Sequence, residues 1–186
     1  MDSQCIQFKN QLYSAAKIIA NSHYTIALAG AGLSVESGIP PYRGPDGLWT
    51  KYGEPSLLSF DEFKRNPTAW WENRLLAEAQ YENPIREMKL ALDRARPNPG
   101  HYSLTELEDL NLLKHTITQN VDNLHIMAGS KSTLEIHGNR TLLRCLSCGA
   151  KEKRYEISFE TLPLICKYCN GTVSYTHLRA HETEAD

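Results

Sequence analysis

Residues 24–38 read Tyr24-Thr25-Ile26-Ala27-Leu28-Ala29-Gly30-Ala31-Gly32-Leu33-Ser34-Val35-Glu36-Ser37-Gly38, a short apolar run that stops on a glycine pair. The run from Tyr24 to Ala29 predicts a β-strand, and Gly30-Ala31-Gly32 predicts a tight turn into a helix. Upstream, Phe8, Leu12, Ala15, Ala16 and Ile19 recur at helical spacing, so a helix should precede the strand. A glycine pair directly after a strand lets main-chain N–H groups at a helix start approach a pyrophosphate, whose charge that helix end favours. A bare Gly-x-Gly fits an unliganded strand-to-helix turn equally well. Val35 stands where the third glycine of a Gly-x-Gly-x-x-Gly fingerprint would be, and no acidic residue closes a second strand about 20 residues on. A dinucleotide bound here would therefore lie in a different pose from that of ordinary dehydrogenases.

Working outward, residues 38–53 are rich in Pro and Gly (Pro40-Pro41, Arg43-Gly44-Pro45-Asp46-Gly47) and predict a long ordered loop without its own secondary structure, a kind that is usually functional. Phe63, Trp70, Trp71, Leu75 and Leu76 give the segment from Phe60 to Gln80 a helical pattern, and Ile85 to Leu92 gives another, together a small helical layer. Pro97-Asn98-Pro99-Gly100 breaks the chain before a helix marked by Leu104, Leu107 and Leu110. His115 to Thr118 predicts a second strand running into Gln119-Asn120-Val121-Asp122. Leu124 to Ala128 predicts a short helix closed by Gly129, and Thr133 to Ile136 a third strand ending at His137-Gly138. This alternation predicts an α/β fold, a parallel sheet with covering helices. In such sheets ligands bind beyond the carboxyl ends of the strands, which brings together Gly30-Ala31-Gly32, Gln119 to Asp122, and His137.

Cys145-x-x-Cys148 and Cys166-x-x-Cys169 are separated by 17 residues, a spacing at which two hooks bring four thiolates to tetrahedral zinc. Four protein ligands leave no open position, so the metal should hold structure and perform no chemistry. His137, at a strand end, can titrate near neutrality and serve as a general base, although a lone histidine is more often a structural hydrogen-bonder. Asn120 and Asp122 taken singly fit helix caps as well as ligand contacts.

The chain has 186 residues, 41% of them apolar, with 20 Lys+Arg against 22 Asp+Glu. That length supports one domain with a real core. A net charge of -2 with no basic run argues against direct nucleic-acid binding. Neither a leader nor an uninterrupted apolar span is present, and the paired cysteines fit a reducing compartment, so a cytoplasmic protein is expected. Cys5 is the fifth, unpaired cysteine.

Taken together, residues 30–40 (Gly-Ala-Gly-Leu-Ser-Val-Glu-Ser-Gly-Ile-Pro), Tyr42-Arg43-Gly44, residues 118–125 (Thr-Gln-Asn-Val-Asp-Asn-Leu-His), Glu135-Ile136-His137-Gly138 and the two cysteine pairs resemble the sirtuins in content and order, from about Ser14 to Thr172. The resemblance implies a Rossmann-like parallel sheet with helices on both faces and small zinc-ribbon and helical insertions. It also implies NAD as co-substrate, acylated-lysine proteins or peptides as substrates, and one structural zinc on Cys145, Cys148, Cys166 and Cys169. His137 would be the catalytic base, taking a ribose hydroxyl proton as the acyl group passes from lysine to ADP-ribose and nicotinamide leaves. Gly30, Ala31, Gly32 and Val35 would line the phosphate turn, and Tyr42 and Arg43 would belong to a loop closing over the cofactor. Gln119, Asn120, Val121 and Asp122 would contact the nicotinamide ribose and its pocket. Tyr42 stands where most of the family has phenylalanine.

The expected organisation is a partial NAD-binding domain over residues 1–138 with its helical insertion at about 55–95, a zinc ribbon at 139–172, and an unassigned tail at 173–186. That tail, with His177 and His181, does not align with the family, and the missing later strands make a C-terminally incomplete chain the expectation, with its own activity left open. Two other readings stay open: a protein ADP-ribosyltransferase of the same family, and a zinc-ribbon interaction module without catalysis. Oligomeric state is not readable.

Overall fold

Three short strands pair in parallel in the order β1-β2-β3, with β1 Ile26–Ala29, β2 His115–Thr118 and β3 Thr133–Glu135. The structure is a computed structural model and describes residues 3–41, 43–45, 47–53 and 59–176. Register sets Ala29 beside Thr118 and Thr118 beside Glu135, so the carboxyl ends of all three strands lie level. Alternation puts Thr116 and Thr118, each 1% exposed, on a buried face. The opposite face carries Leu28, Leu134 and Ile136, which are 78%, 51% and 58% exposed. The Rossmann-like sheet is present, but among the described residues only one of its faces is covered. Helix α1, Ser3–Asn21, leaves Phe8, Leu12 and Ile18 exposed.

After β1 the chain does not enter an α-helix. It forms a 3-10 segment, Ala31–Ser37, which ends at Gly38 in the left-handed conformation with its N–H on the Ser34 and Val35 carbonyls. The following loop contains one element the Pro- and Gly-rich text concealed, α2 at Leu48–Tyr52, started by the Lys51 N–H bond to the Gly47 carbonyl at 3.1 Å.

The helical layer is punctuated by one device used three times. Helices α4 (Pro67–Ala79), α5 (Pro84–Arg94) and α6 (Pro99–Asp109) each begin with proline behind an asparagine cap. Asn66, Asn83 and Asn98 accept bonds from the Ala69, Ile85 and Gly100 N–H groups respectively. A cap of this kind contributes about 1 kcal/mol, and proline pre-sets the first helical residue while barring it from continuing a preceding helix. The expected single helix from Phe60 to Gln80 is for this reason two, α3 at Ser59–Arg65 and α4, broken at Asn66-Pro67. The short α7, Leu124–Met127, follows β2.

A second sheet is antiparallel, in the order β5-β4-β6, with β4 Leu142–Cys145, β5 Lys151–Lys153 and β6 Val173–Tyr175. Here the expected boundary moves: Val173, Ser174 and Tyr175 are not tail but a fully buried strand paired to β4. Their apolar side chains join Leu143, Phe60, Phe63 and Trp71 in the main core, which is why the sheet claims them. Residues 177–186, with His177 and His181, lie outside the described residues.

That core fuses the helical layer to the small sheet. Trp71 is 0% exposed and its indole N–H donates to the Val173 carbonyl at 3.1 Å. Above it, Glu78 accepts from Arg154 at 2.7 Å, Arg74 at 3.1 Å and the Tyr175 hydroxyl at 3.0 Å. Burial pushes the Tyr175 phenol up, so it stays a donor. No helix among the described residues is long and apolar enough to cross a membrane. Trp71→Ala is expected to destabilise the chain by about 3–5 kcal/mol, read as a lowered urea midpoint.

Candidate active site and metal centre

Where β1 and β2 end, three side chains and one main-chain carbonyl close into a buried network. Ser34 donates to Asp122 Oδ2 at 2.6 Å, and Asn120 Nδ2 donates to Ser34 Oγ at 3.1 Å and to the Gly30 carbonyl at 3.0 Å. Asp122 Oδ1 accepts from the Leu124 N–H at 2.9 Å, holding the start of α7. Ser34, Asn120 and Asp122 are 1%, 9% and 6% exposed. Buried polar groups at this depth are stable only when paired, and here the pairing welds the glycine turn to the β2 loop.

Gly30 has an extended backbone that any residue adopts, and a Cβ at Gly30 or Gly32 would meet nothing within 4 Å. Neither local strain nor packing explains these glycines. What they leave is open space at the turn, the room a pyrophosphate needs. Ala31, Ser34, Ile39, Pro40, Asn120 and Asp122 also line a cavity of about 20 Å³, the volume of one water.

Of the residues expected in the site, Gly30, Ala31, Asn120, Val121 and Asp122 come together at these strand ends, while Gly32 and the exposed Val35 sit on the 3-10 segment beside them. Gln119 is exposed beside them, its N–H on the Ala29 carbonyl at 3.2 Å. Arg43 is exposed in the loop, and Tyr42 lies outside the described residues. His137, half-buried, is the third residue of a turn after β3, closed by the Gly138 N–H on the Glu135 carbonyl at 3.1 Å. Gly138 has φ +83, and a Cβ there would lie 2.7 Å from Thr176 Oγ1, so conformation and space both demand glycine.

Three residues of the network escaped the sequence reading. Ser34 stood only inside the block 30–40, with no role of its own. Asn98 caps α6 and also donates to the Leu33 carbonyl at 2.6 Å and to Ser37 Oγ at 3.0 Å. His101 Nδ1 accepts from the Asn98 N–H at 3.3 Å, completing the capping box that the order Asn98-Pro99-Gly100-His101 encodes. His101 and His125, 0% and 3% exposed, meet edge to face with ring centroids 5.0 Å apart. The Nε2 atom of each has no partner among the described residues.

Burial lowers the pKa of both rings below the ordinary 6.5, the neighbouring His125 adding to the effect at His101. The unfolded chain therefore takes up these protons first. Their contribution to stability is complete above about pH 6.5 and is lost as pH falls toward the lower folded values. Urea midpoints should accordingly fall between pH 7 and pH 5.5, and more steeply than in His125→Gln.

The four paired cysteines converge. Cys145 Sγ lies 3.5 Å from Cys169 Sγ and Cys148 Sγ lies 3.7 Å from Cys166 Sγ, with all four sulfurs within 4.8 Å of one another. Tetrahedral zinc with Zn–S of about 2.3 Å sets sulfurs about 3.8 Å apart, so the cage fits. Each hook is closed by a left-handed residue, Gly149 at φ +76 and Asn170 at φ +60. Burial opposes ionisation of Cys145, but the Cys148 and Ser147 N–H groups bring its thiol down to about 6. At Cys169 the Gly171 N–H favours the thiolate, yet the adjoining sulfurs push it up to about 12. Four thiolates this close need a cation, and zinc supplies that charge. Cys145 and Cys166 belong to the main core, so chelation should both release one zinc per chain and shift the emission of Trp70 and Trp71.

Residues 30–179 match the Sir2 family model. The chain is 45% identical over 140 residues to the NAD-dependent protein deacylase 2 of Archaeoglobus fulgidus, covering 75% of this chain and 51% of that protein. It is 43% identical over 166 residues to the NAD-dependent protein deacylase of Pyrococcus abyssi, covering 86% and 62%. The chain thus spans about half to three-fifths of the length of these relatives. Among solved structures, a Sir2 homologue mutant in complex with ADP-ribose superposes with TM-score 0.65 at 34% identity, over 94% of this chain and 62% of that one. Sir2 with p53 peptide and NAD+ superposes with TM-score 0.64 at 29% identity, over 88% and 62%. With a family model matched over most of its length, the chain belongs to the Sir2 family.

Proposed function

We propose that this chain carries the base-bearing part of an NAD-dependent protein-lysine deacylase. The observation that supports it most is the buried Ser34–Asn120–Asp122 network set against an open glycine turn at the strand ends. Main-chain N–H groups of that turn would receive a pyrophosphate, and the polar side chains would meet a carboxamide and ribose. Bound NAD would supply the electrophilic ribose carbon at which the acyl oxygen displaces nicotinamide. Asn120 and Asp122 would orient the nicotinamide end, while Gly30, Ala31, Gly32 and Val35 would receive the phosphates. His137 would take up a ribose hydroxyl proton. Arg43, with Tyr42 before it, would close over the cofactor and limit access of water. Zinc on Cys145, Cys148, Cys166 and Cys169 would keep the small sheet folded and, with four protein ligands, take no part in the chemistry.

The substrates proposed are acylated-lysine proteins or peptides, and the setting proposed is the cytoplasm, without direct nucleic-acid contact. The proposed division is an NAD-binding part over residues 1–138 followed by the zinc module. The test incubates the purified chain with an acetyl-lysine peptide and NAD and follows the peptide mass. Loss of the acetyl group that requires NAD, and that disappears in His137→Ala with zinc retained, is the expected result. A gain of ADP-ribose on the peptide, or turnover unaffected by His137→Ala, would replace this reading.

A further inference from the structure

The His137 imidazole makes no hydrogen bond to any described residue, so its aim is set by the turn that carries it. That turn runs straight into Asn139, 3% exposed, whose every polar atom is engaged. Asn139 Nδ2 donates to Asn123 Oδ1 at 2.7 Å and to Glu135 Oε1 at 2.6 Å. Its Oδ1 accepts from the Thr141 N–H at 2.9 Å and the Thr141 hydroxyl at 2.7 Å. Its backbone N–H and carbonyl both pair with Thr176 Oγ1, at 2.8 and 2.6 Å.

We propose that Asn139 is the positioning residue for His137: its carboxamide clamps the turn bearing the imidazole onto the loop of Gln119 to Asp122 through Asn123, and braces it against Glu135. The two carboxamide donors bracket His137, one bond reaching the residue two before it and the other the residue after Asp122. A second clamp joins the same two loops, the Arg140 N–H on the Val121 carbonyl at 2.9 Å. Asn123 suits the task because it sits at φ +70, a conformation asparagine tolerates, which turns its side chain back toward the His137 turn. Thr176, next to β6, anchors Asn139 from the zinc module. The inference rests on His137 as the base, but the geometry of the clamp can be measured without turnover.

The decisive substitution is Asn139→Asp, which keeps the shape and the Oδ1 that accepts from Thr141, removes both donors and sets a carboxylate against Glu135. Its partner is the double variant E135Q/N139D, which reverses the donor and restores the bond. In the full zinc-loaded chain, the His137 ring signal in a carbon–proton NMR spectrum is assigned by its absence in His137→Ala. Asn139→Asp should shift that signal and lower kcat about 100-fold, the scale of a misplacement of about 1 Å, with KM for NAD little changed. The double variant should return the signal and most of kcat. Asn123→Gly, which keeps the left-handed backbone and deletes one acceptor, should give a smaller shift in the same sense, and it replaces Asn139→Asp if the latter loses zinc. An unmoved His137 signal, or a shift that the double variant does not reverse, overturns the clamp. A moved and rescued signal in a chain whose turnover ignores His137→Ala would keep the clamp and overturn the base.

Discussion

A hydroxyl donating to a buried carboxylate across 88 residues of chain, Ser34 to Asp122 at 2.6 Å, is the bond on which the rest of the arrangement turns. Each partner alone would be a buried polar group in a small core, costly unless satisfied. Together they fix the 3-10 segment after β1 against the loop after β2, and Asn120 and Asn98 tie the same segment from two other directions. The anchors leave the glycine turn itself open: a Cβ at Gly30 or Gly32 would meet nothing within 4 Å among the described residues. The polar network and the open turn are thus two sides of one construction.

Much of this was legible beforehand, for identifiable reasons. His115–Thr118 is a β-branched run between turn residues, and both limits of the strand match the pattern. The four cysteines were readable because two short hooks carry their own geometry, whatever the surroundings. Asn120 and Asp122 stood out only in combination. What escaped was dependent on distant contacts. Nothing local distinguishes Ser34 from a solvent-facing serine until Asp122 arrives beside it. Val173 to Tyr175 could not be recognised as a strand because the core that receives them, Trp71 and Phe63, lies about a hundred residues earlier. The break at Asn66-Pro67 was visible in the letters, but the apolar spacing on either side masked it.

The two halves are joined unequally. The helical layer and the small sheet share a core of aromatic side chains and a buried carboxylate, Glu78, with three partners. Between the parallel sheet and the zinc module the described joints are small and polar: Asn139 with Thr176, and the Arg140 N–H on the Val121 carbonyl. Polar joints are directional and fix the relative placement of what they link, whereas an apolar contact of the same size would permit sliding. A site assembled from loops on both sides needs that kind of link.

The repeated Asn-Pro starts have one more consequence, for how this architecture tolerates change in length. Each helix of the layer begins where two adjacent residues say it begins, with the asparagine oxygen seated on its own first turn. The phase of α4, α5 and α6, and hence which side chains face the core, is written into the helix and not measured out from the previous element. Residues can be added or lost in the connection before Asn83, for instance, without rotating Met88 and Leu92 away from Ile39 and Leu124. Such a layer can be lengthened and reshaped at its loops while the sheet ends it sits beside stay in register.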